Sequence, residues 1–281
     1  MPASKPIAFI TGASRGIGAA TAIQLAKAGY DLVLTARSLE EGEQHEHGSW
    51  DSDKRALPGS LAATAEQAEA AGARCLCLRS DILEPASVLA AMDEAMAHFG
   101  QLDLLFNNAC YQGPGNQQRL VDVSAEQVEA IYQGNVITPL LCVQKALPDM
   151  LQRGTGAIIN MVSGSAMNNP PAPADEGGWG FAYPSSKAAL IRMVPSLRVE
   201  HPESGLRFFN VEPGFVYTEV MRANGLGEDI AARYKPTSPE DIGRVVRWLA
   251  TAQAAMDYHD KTVIHAPQLL AKLGREINGE L

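Results

Sequence analysis

Two side chains four residues apart, Tyr183 and Lys187, form the pair in this sequence best suited to moving a proton. On a helix, positions i and i+4 lie one above the other, so the phenol and the ammonium would be neighbours. A neighbouring ammonium favours the phenolate, which predicts a pKa for Tyr183 below its ordinary value of about 10. Such a phenol could act as a general acid or base near neutral pH. Because a lone Y-x-x-x-K pattern usually marks a surface tyrosine beside a solvated lysine, the assignment depends on the rest of the chain.

Other polar residues that could take part in chemistry come where apolar, strand-like runs end. The carboxyl ends of parallel strands meet at one edge of a sheet, and ligands of open α/β sheets bind in the crevice there. We therefore expect these side chains to converge with Tyr183 on one site. The residues are Arg37, Asp81, Asn108, Ser163 and Thr218.

The sequence TGASRGIG at residues 11–18 joins an apolar strand-like run to a helix-forming segment. Glycines permit positive φ and have no Cβ to hold a ligand away, while the amides at the start of the following helix attract anions. The pattern predicts a cradle for a pyrophosphate. Its spacing, G-x-x-x-G-x-G, departs from the common dinucleotide fingerprint, so a simple strand-to-helix turn is the alternative for this segment taken alone.

Strand-like and helix-like segments alternate along the chain, which is typical of β-α units with parallel strands. A long predicted helix over residues 124–151 contains Pro139, which should kink it near Asn135. The pattern predicts a single α/β domain over residues 1–281, built on a doubly wound, mainly parallel, Rossmann-like sheet of seven strands. The predicted strands are residues 7–10, 31–37, 74–78, 102–106, 156–163, 206–211 and 261–266.

Two segments interrupt this alternation. Residues 38–60 are rich in Glu, His, Gly, Ser and Asp without periodicity, which predicts an exposed insertion. Residues 166–181 are rich in Pro and Gly and carry Trp179 and Phe181, so we expect a substrate loop that suits a bulky apolar molecule, although an ordinary surface loop would have a similar composition. The other predicted walls of the substrate site are residues 111–118 and 220–234.

The composition argues against several classes of function. The formal net charge is −9, and the sequence has no basic patch such as a nucleic acid or an anionic membrane would require. No apolar run approaches the ~18 residues of a membrane span and no signal-peptide pattern opens the chain, so we expect a cytoplasmic protein without a membrane partner. The four cysteines do not make a disulfide framework, and with His45 and His47 they do not form a metal-ligand pattern, so no metal is expected.

The motifs of this chain follow one another in a distinctive order. They are the glycine turn, Asn107-Asn108-Ala109, Asn135, Ser163, Tyr183-x-x-x-Lys187 and Pro213-Gly214. In this order and rough spacing, the chain resembles the short-chain dehydrogenase/reductase family over residues 7–266.

The resemblance implies NAD(P)-dependent oxidoreduction of a carbonyl or an alcohol. Tyr183 would be the acid and base, and Lys187 would bind the nicotinamide ribose and lower the pKa of the tyrosine. Ser163 would hold the substrate oxygen, and Asn135 would support a water relay. The cofactor-binding residues implied by the resemblance are Gly12, Ser14, Arg15, Gly16, Ile17, Gly18, Arg37, Asp81, Ile82, Asn108, Ala109, Tyr183, Lys187, Pro213, Gly214, Val216 and Thr218.

Three features depart from the family pattern. Cys110 replaces the glycine that usually follows Asn-Asn-Ala. The interval from Ser163 to the tyrosine is longer than usual, which leaves Ser165 as a second candidate for the serine role. We prefer Ser163 because it stands three residues beyond Asn160, as in the family. The final strand ends in IHAP at residues 264–267 instead of the usual Asp-Gly-Gly.

The end of the second predicted strand indicates which cofactor is used. Ala36 falls where an NAD-preferring member places a carboxylate, Arg37 follows it, and Arg15 lies across from it in the glycine turn. That carboxylate would bond the ribose hydroxyls and repel a 2′-phosphate, so its absence beside two cations predicts NADP(H), with NAD(H) as the alternative. The competing interpretation is that Arg37 is a solvated residue at the start of a loop.

We therefore expect an NADP(H)-dependent oxidoreductase that interconverts a ketone or aldehyde and an alcohol, with Tyr183 as general acid and base and Ser163, Lys187 and Asn135 as its helpers. Its partner would be a small carbonyl or alcohol substrate, and the resemblance implies a homo-oligomer, a dimer or a tetramer. The main alternative is a catalytically silent nucleotide-binding regulator, which would need none of these residues aligned. A related lyase or epimerase is disfavoured because little chain remains for a separate substrate domain.

Overall fold

The computed structural model describes residues 5–48, 53–225 and 236–279. The central strands are buried along their whole length and are mostly apolar, as expected for a parallel sheet covered on both faces. In these ranges the strands are β1 (Ile7–Thr11), β2 (Asp31–Ala36), β3 (Gln44–Glu46), β4 (Lys54–Ala56), β5 (Cys75–Arg79), β6 (Leu104–Asn107), β7 (Ala157–Met161), β8 (Arg207–Glu212) and β9 (Ile264–His265).

The main sheet contains seven parallel strands in the order β5-β2-β1-β6-β7-β8-β9. The chain leaves β1 toward β2 and β5 and then returns to the other side of β1 to form β6, so the strand order reverses between β1 and β6. Ligands of doubly wound sheets bind at such a reversal, at the carboxyl ends of the strands. The predicted fold is confirmed, and its topology fixes where the site must lie.

Helices cover both faces of the sheet, with one apolar cluster under each layer. Along β1, Ala8 and Ile10 belong to one cluster, whereas Ile7 and Phe9 belong to the other, as the alternation of a strand requires. Within the described ranges, no helix has both the length and the apolar character of a membrane span. The helices are α1 (Gly16–Lys27), α2 (Leu61–Ala70), α3 (Pro85–Phe99), α4 (Ala125–Tyr132), α5 (Thr138–Arg153), α6 (Ala182–Glu200), α7 (Glu219–Ala223), α8 (Pro239–Thr251) and α9 (Ala266–Ile277).

The single helix predicted over residues 124–151 is interrupted by a wider turn. A π-helical turn, Gln133–Ile137, joins α4 to α5, and the Thr138 amide donates to the Gln133 carbonyl five residues earlier. Pro139 has no amide to offer the Asn135 carbonyl four residues before it, which gives a physical reason for the wider turn. Asn135 therefore lies inside the distortion, close to where the sequence predicts the kink.

The segment 38–60, of which residues 49–52 lie outside the described ranges, holds more structure than its composition predicts. β3 and β4 pair as an antiparallel hairpin. Arg37 Nη2 donates to the last carbonyl of β3 at 2.8 Å, and Arg15 Nη2 donates to the Gly59 carbonyl at 2.8 Å. The insertion thus folds back over the end of β2 and the glycine turn instead of extending into solvent. The bond from Arg15 joins residues 44 positions apart, so local composition carries no sign of it.

The close packing of α1 against the glycine turn predicts the effect of one added methyl group. A Cβ on Gly18 would lie 2.2 Å from the Gly12 carbonyl oxygen and 2.7 Å from Asn108 Nδ2. Gly18→Ala should therefore lower the midpoint of thermal unfolding by about 3 °C or more, although alanine has the better helix propensity. The matched control is Gly274→Ala, since no atom lies within 4 Å of the Cβ position at that glycine of α9. The control should unfold at or slightly above the wild-type midpoint, and equal midpoints for the two variants would contradict the packing argument.

Candidate active site

A cavity of about 340 Å³ opens along the carboxyl ends of the central strands, where the sequence predicts the site. Arg37 follows β2, the glycine turn follows β1 and Ser163 follows β7, and all of them line this cavity. The strands β2, β1, β6 and β7 are successive neighbours in the sheet. The cavity therefore runs from Arg37 at the end of β2, past the glycine turn, to Ser163 at the end of β7. One continuous space therefore connects the predicted nucleotide end with the predicted reacting end.

The glycine turn is tied to the end of β6 by Asn108. Asn108 Nδ2 donates to the carbonyls of Thr11 and Gly12 at 2.9 and 3.2 Å. The amides of Asn108 and Ala109 both donate to Thr11 Oγ1 at 3.0 Å. Gly12 and Gly16 have φ values of +68° and +55°, which residues with a Cβ avoid. The turn therefore exposes the start of α1 to the cavity, as a pyrophosphate cradle requires.

Positive charge gathers where the cavity passes the end of β2. Arg15 and Arg37 both line it, and Arg15 Nη2 donates to Ser38 Oγ at 3.1 Å. Burial lowers the pKa of Arg15, an effect that Glu219 partly offsets and Arg37 reinforces. The side chain at the last position of β2 is the methyl group of Ala36. This end of the cavity suits an anion.

The turn after β5 supplies Asp81 and Ile82 to the cavity. Asp81 Oδ1 accepts a hydrogen bond from the Leu83 amide at 2.9 Å, and Thr138 Oγ1 donates to the Ile82 carbonyl at 2.6 Å. The second bond attaches this turn to the start of α5. Asp81 and Ile82 are thus held at the wall of the cavity by hydrogen bonds with Leu83 and Thr138, which do not line it.

Tyr183 and Lys187 lie in the first turns of α6, at the reacting end of the cavity. The Tyr183 hydroxyl is in hydrogen-bonding contact with the side chains of Ser163, Gln112 and Cys110. Lys187 is 2% exposed, and its Nζ donates to the Met161 carbonyl at 2.9 Å. The ammonium lies 5.9 Å from the centre of the Tyr183 ring. The helix thus brings the two groups together on one face, as their spacing predicts.

The predicted lowering of the Tyr183 pKa is wrong for this arrangement. Burial raises the pKa of the phenol above its ordinary value, and the Cys110 thiol adds to the rise. Hydrogen bonds with Ser163 and Gln112 oppose the rise without cancelling it. The charge of Lys187 does not reverse it, and the ammonium is bonded to a backbone carbonyl. Tyr183 is therefore held in its protonated form at neutral pH.

Of the two candidate serines, Ser163 is the one that lines the cavity with Tyr183. Its Oγ lies 3.0 Å from Ser165 Oγ and accepts a hydrogen bond from the Ser165 amide at 3.3 Å. Ser165 faces a second cavity. The arrangement favours Ser163 for contact with a reacting group and gives Ser165 the role of orienting it.

Asn135 lies behind the cavity instead of in its lining. The residue is 1% exposed, and its Oδ1 accepts the Tyr111 amide at 2.7 Å. Its Nδ2 donates to the Tyr111 carbonyl at 3.1 Å and to Ser186 Oγ at 3.2 Å. One amide side chain thus joins the π-helical turn to the loop after β6 and to α6, next to Lys187.

The loop over residues 166–181 lines a second cavity, of about 460 Å³. Trp179 contributes to that lining. Arg119 holds the loop through ion pairs with Asp175 and Glu176 at 2.7 and 2.8 Å. The predicted substrate wall therefore lines the second cavity, next to Ser163 and Ser165. Arg119, in the loop after β6, holds it in place.

The cavity gathers nearly all of the predicted site residues. Gly18 is outside its lining because it packs against the Gly12 carbonyl, and Asn135 is outside it because it supports Tyr111. The predicted residues that line the cavity are Gly12, Ser14, Arg15, Gly16, Ile17, Arg37, Asp81, Ile82, Asn108, Ala109, Ser163, Tyr183, Lys187, Pro213, Gly214, Val216 and Thr218.

Several lining residues were not assigned to the site from the sequence. Glu46, His47 and Gly48 come from the insertion, which carries no periodic pattern. Gln112 belongs to a predicted wall, but nothing in its sequence neighbourhood indicates contact with Tyr183. Among the residues of the predicted wall at 220–234, Val220 and Met221 line the cavity, while residues 226–234 lie outside the described ranges.

The chemistry of the lining fits a nicotinamide dinucleotide. A Cβ on Gly12 would come 2.9 Å from the Ala109 Cα, so the turn can pack on the end of β6 only with glycine there, and it leaves the amides at the start of α1 open to an anion. The arginines lie toward the end of the cavity next to β2. The protonated phenol lies at the other end, where a carbonyl or alcohol could react.

Comparison with known proteins leads to the same family as the motifs. The family model for short chain dehydrogenase matches residues 6–58 and 55–229. A 3-oxoacyl-(acyl-carrier-protein) reductase of Staphylococcus aureus is 28% identical over 255 residues, covering 88% of this chain and 91% of that protein. A cis-4-hydroxycyclohexanecarboxylate dehydrogenase of Sinomonas cyclohexanicum is 32% identical over 248 residues, covering 88% of this chain and 86% of that protein.

A solved structure also matches over most of its length. The crystal structure of a metagenomic short-chain oxidoreductase in complex with NADP aligns with a TM-score of 0.66 and 28% identity, covering 87% of this chain and 90% of that one. With the matching family model, the motifs and the cavity at the strand reversal, this establishes that the chain belongs to the short-chain dehydrogenase family of NAD(P)-dependent oxidoreductases.

Proposed function

We propose that this protein is an NADP(H)-dependent oxidoreductase that interconverts a ketone or aldehyde and the corresponding alcohol, with Tyr183 as general acid and base. The observation that carries the proposal is the contact of the Tyr183 hydroxyl with Ser163 in a cavity whose other end holds Arg15 and Arg37. A proton donor, an oxygen-binding group and a nucleotide cradle are then in one connected space.

A nicotinamide dinucleotide bound in this cavity would supply or accept the hydride. Tyr183 would give its proton to the carbonyl oxygen during reduction and take it back during alcohol oxidation. Because burial raises the pKa of Tyr183, the phenol carries a proton to donate at neutral pH, and the phenolate left after donation needs stabilisation. The Ser163 hydroxyl, oriented by Ser165 at 3.0 Å, would hold the substrate oxygen beside the phenol.

Lys187 would act on both the cofactor and the tyrosine. Its buried Nζ donates to the Met161 carbonyl, and an ammonium has further N–H groups to offer ribose hydroxyls. Its charge would stabilise the phenolate that remains after proton transfer. For Asn135 we propose a positioning role, because its side chain bonds both the Tyr111 backbone and Ser186.

The preference for NADP(H) is supported by the charges beyond β2. Ala36 offers no carboxylate to bind ribose hydroxyls or to repel a 2′-phosphate, and Arg37 and Arg15 supply positive charge beside it. Hydrogen bonds to charged groups contribute ~1.5–3 kcal/mol each. Two arginines acting on a 2′-phosphate would thus favour NADPH by about 100-fold or more.

For the substrate we propose a carbonyl or alcohol with a sizeable apolar body. The second cavity is lined by Trp179, Phe181 and Pro173, among others, and Ser165 connects it to Ser163. We also propose that the protein is a homo-oligomer. Leu140 on α5 and Val199 on α6 are exposed apolar side chains that such an interface would bury.

The raised Tyr183 pKa predicts different pH profiles for the two directions of reaction. Reduction needs the protonated phenol, so its kcat/KM should be nearly constant between about pH 6 and 9. Oxidation needs the phenolate, whose fraction rises about tenfold per pH unit below the pKa, so its kcat/KM should climb over the same range. Steady-state rates measured in both directions test this.

The matched control is Tyr183→Phe, which keeps the ring and removes the proton. Its kcat should fall about 10²–10⁴-fold at every pH while cofactor affinity stays close to that of the wild type. A reduction rate that declines through pH 7 would contradict the raised pKa. A variant that keeps more than about a tenth of kcat would contradict the role of Tyr183.

Cofactor preference gives a second prediction. The kcat/KM of the wild type should be about 100-fold higher or more with NADPH than with NADH. The double variant Ala36→Asp with Arg37→Ile restores the carboxylate and removes one cation, so its preference should reverse. A wild-type ratio near one, or one in favour of NADH, would rule out the assignment.

A further inference from the structure

His47 on the insertion presents a buried nitrogen without a partner to the nucleotide end of the cavity. The residue follows β3 and lines the same cavity as Arg15 and Arg37. Its Nε2 is buried, and among the described residues it has no hydrogen-bond partner. An unpaired buried polar atom costs free energy, so its presence on a binding cavity points to a ligand that completes it.

The backbone holds this imidazole in a defined place. Arg37 Nη2 donates to the Glu46 carbonyl at 2.8 Å, and Asn224 Nδ2 donates to the His47 carbonyl at 2.8 Å. The residue is therefore fixed between the end of β2 and the segment that follows α7. The backbone that carries the ring is thus ordered before a ligand binds, which favours binding.

The charges around His47 are mainly positive. The positive charges of Arg37, Arg15 and Arg55 act on the imidazole, whereas burial lowers the pKa of the neighbouring His45, so that ring is neutral at pH 7. The carboxylate of Glu46 lines the cavity next to it, and those of Asp81 and Glu219 line it further along, Glu219 acting on Arg15. Such a concentration of cationic donors around one unpaired nitrogen suits an anion with several acceptor oxygens, as a phosphate monoester is.

We infer that His47 donates a hydrogen bond from Nε2 to the adenosine 2′-phosphate of the bound dinucleotide, so that the insertion forms the second wall of the phosphate site opposite Arg37. The inference rests on the proposed preference for NADP(H) and names a specificity-determining residue for it. It also gives the insertion a function, since the hairpin carries the group that completes the site.

Proton uptake accompanies this contact. Burial and the charges of Arg37 and Arg15 lower the pKa of His47 to about 4, so the ring is neutral at pH 7 before the ligand binds. A phosphate beside the ring favours the imidazolium and raises its pKa. The contribution of His47 to phosphate affinity is therefore larger at lower pH and declines as pH rises.

Two adenosine ligands separate the 2′-phosphate from the rest of the cofactor. Adenosine 2′,5′-bisphosphate and 5′-AMP would be titrated calorimetrically into the whole protein, as wild type and as His47→Gln. The variant should bind the bisphosphate about 10-fold more weakly or worse and bind 5′-AMP within about twofold of the wild type. The ratio of wild-type to variant affinity for the bisphosphate should be larger at about pH 6 than at about pH 8.

The matched control is His45→Gln on the same hairpin. His45 Nε2 is also buried without a hydrogen-bond partner among the described residues, but it lies 3.5 Å from Glu43 Oε2 and the residue is outside the lining of the cavity. This variant should bind both ligands within about twofold of the wild type. Unfolding midpoints of both variants would show that the hairpin and the fold persist.

The outcomes distinguish this inference from the proposed function. If the wild type binds the bisphosphate no better than 5′-AMP, the preference for NADP(H) fails and this inference fails with it. If the wild type discriminates and His47→Gln discriminates equally well, the inference alone is overturned. Equal loss of affinity for both ligands in His47→Gln would also overturn it, because the residue would then only support the hairpin.

Discussion

Hydrogen bonds between the ends of β1 and β6 are the constraint on which the rest of the site depends. The Asn108 side chain donates to the carbonyls of Thr11 and Gly12, while Thr11 Oγ1 accepts the amides of Asn108 and Ala109. Leaving one of these groups unpaired in a buried setting would cost ~1–3 kcal/mol. The bonds hold Gly12 at its positive φ, and Gly18 packs on the Gly12 carbonyl. The direction of α1, and with it the nucleotide cradle, is set by this junction at the strand reversal.

The same stretch of chain connects the cradle to the proton donor. Beyond Ala109, the Cys110 and Gln112 side chains meet the Tyr183 hydroxyl, and the Tyr111 backbone between them is gripped at both its amide and its carbonyl by Asn135. Asn135 can do this because the π-helical turn places it inside the molecule. The few residues that follow β6 thus contact the glycine turn at one end and Tyr183 at the other. Through them, the end of β6 and the π-helical turn, which are far apart in sequence, both position the reacting groups.

The fold could be read from the sequence because its signals are local. Apolar runs such as residues 7–10, the glycine turn and the i, i+4 spacing of Tyr183 and Lys187 each report on short-range geometry, and the topology of parallel strands then places their ends together. Features that depend on long-range contacts could not be predicted from the sequence. The bond that attaches the insertion to Arg15 and the contact of Gln112 with Tyr183 both join residues far apart in the chain. The pKa of Tyr183 was mispredicted because the neighbouring charge is visible in the sequence, whereas the burial that outweighs it is not.

The central claim is that this cavity supports reduction of a carbonyl by NADPH with proton donation from Tyr183. The most direct test uses NADPH carrying deuterium in both hydrogen positions at C4 of the nicotinamide, a panel of cyclic and aromatic ketones, and mass spectrometry of the products. The account predicts an alcohol with one deuterium on the carbinol carbon, formed by the wild type and nearly lost with Tyr183→Phe. NADPH that binds without any deuterium reaching a product, or equal deuterium transfer by Tyr183→Phe, would contradict it.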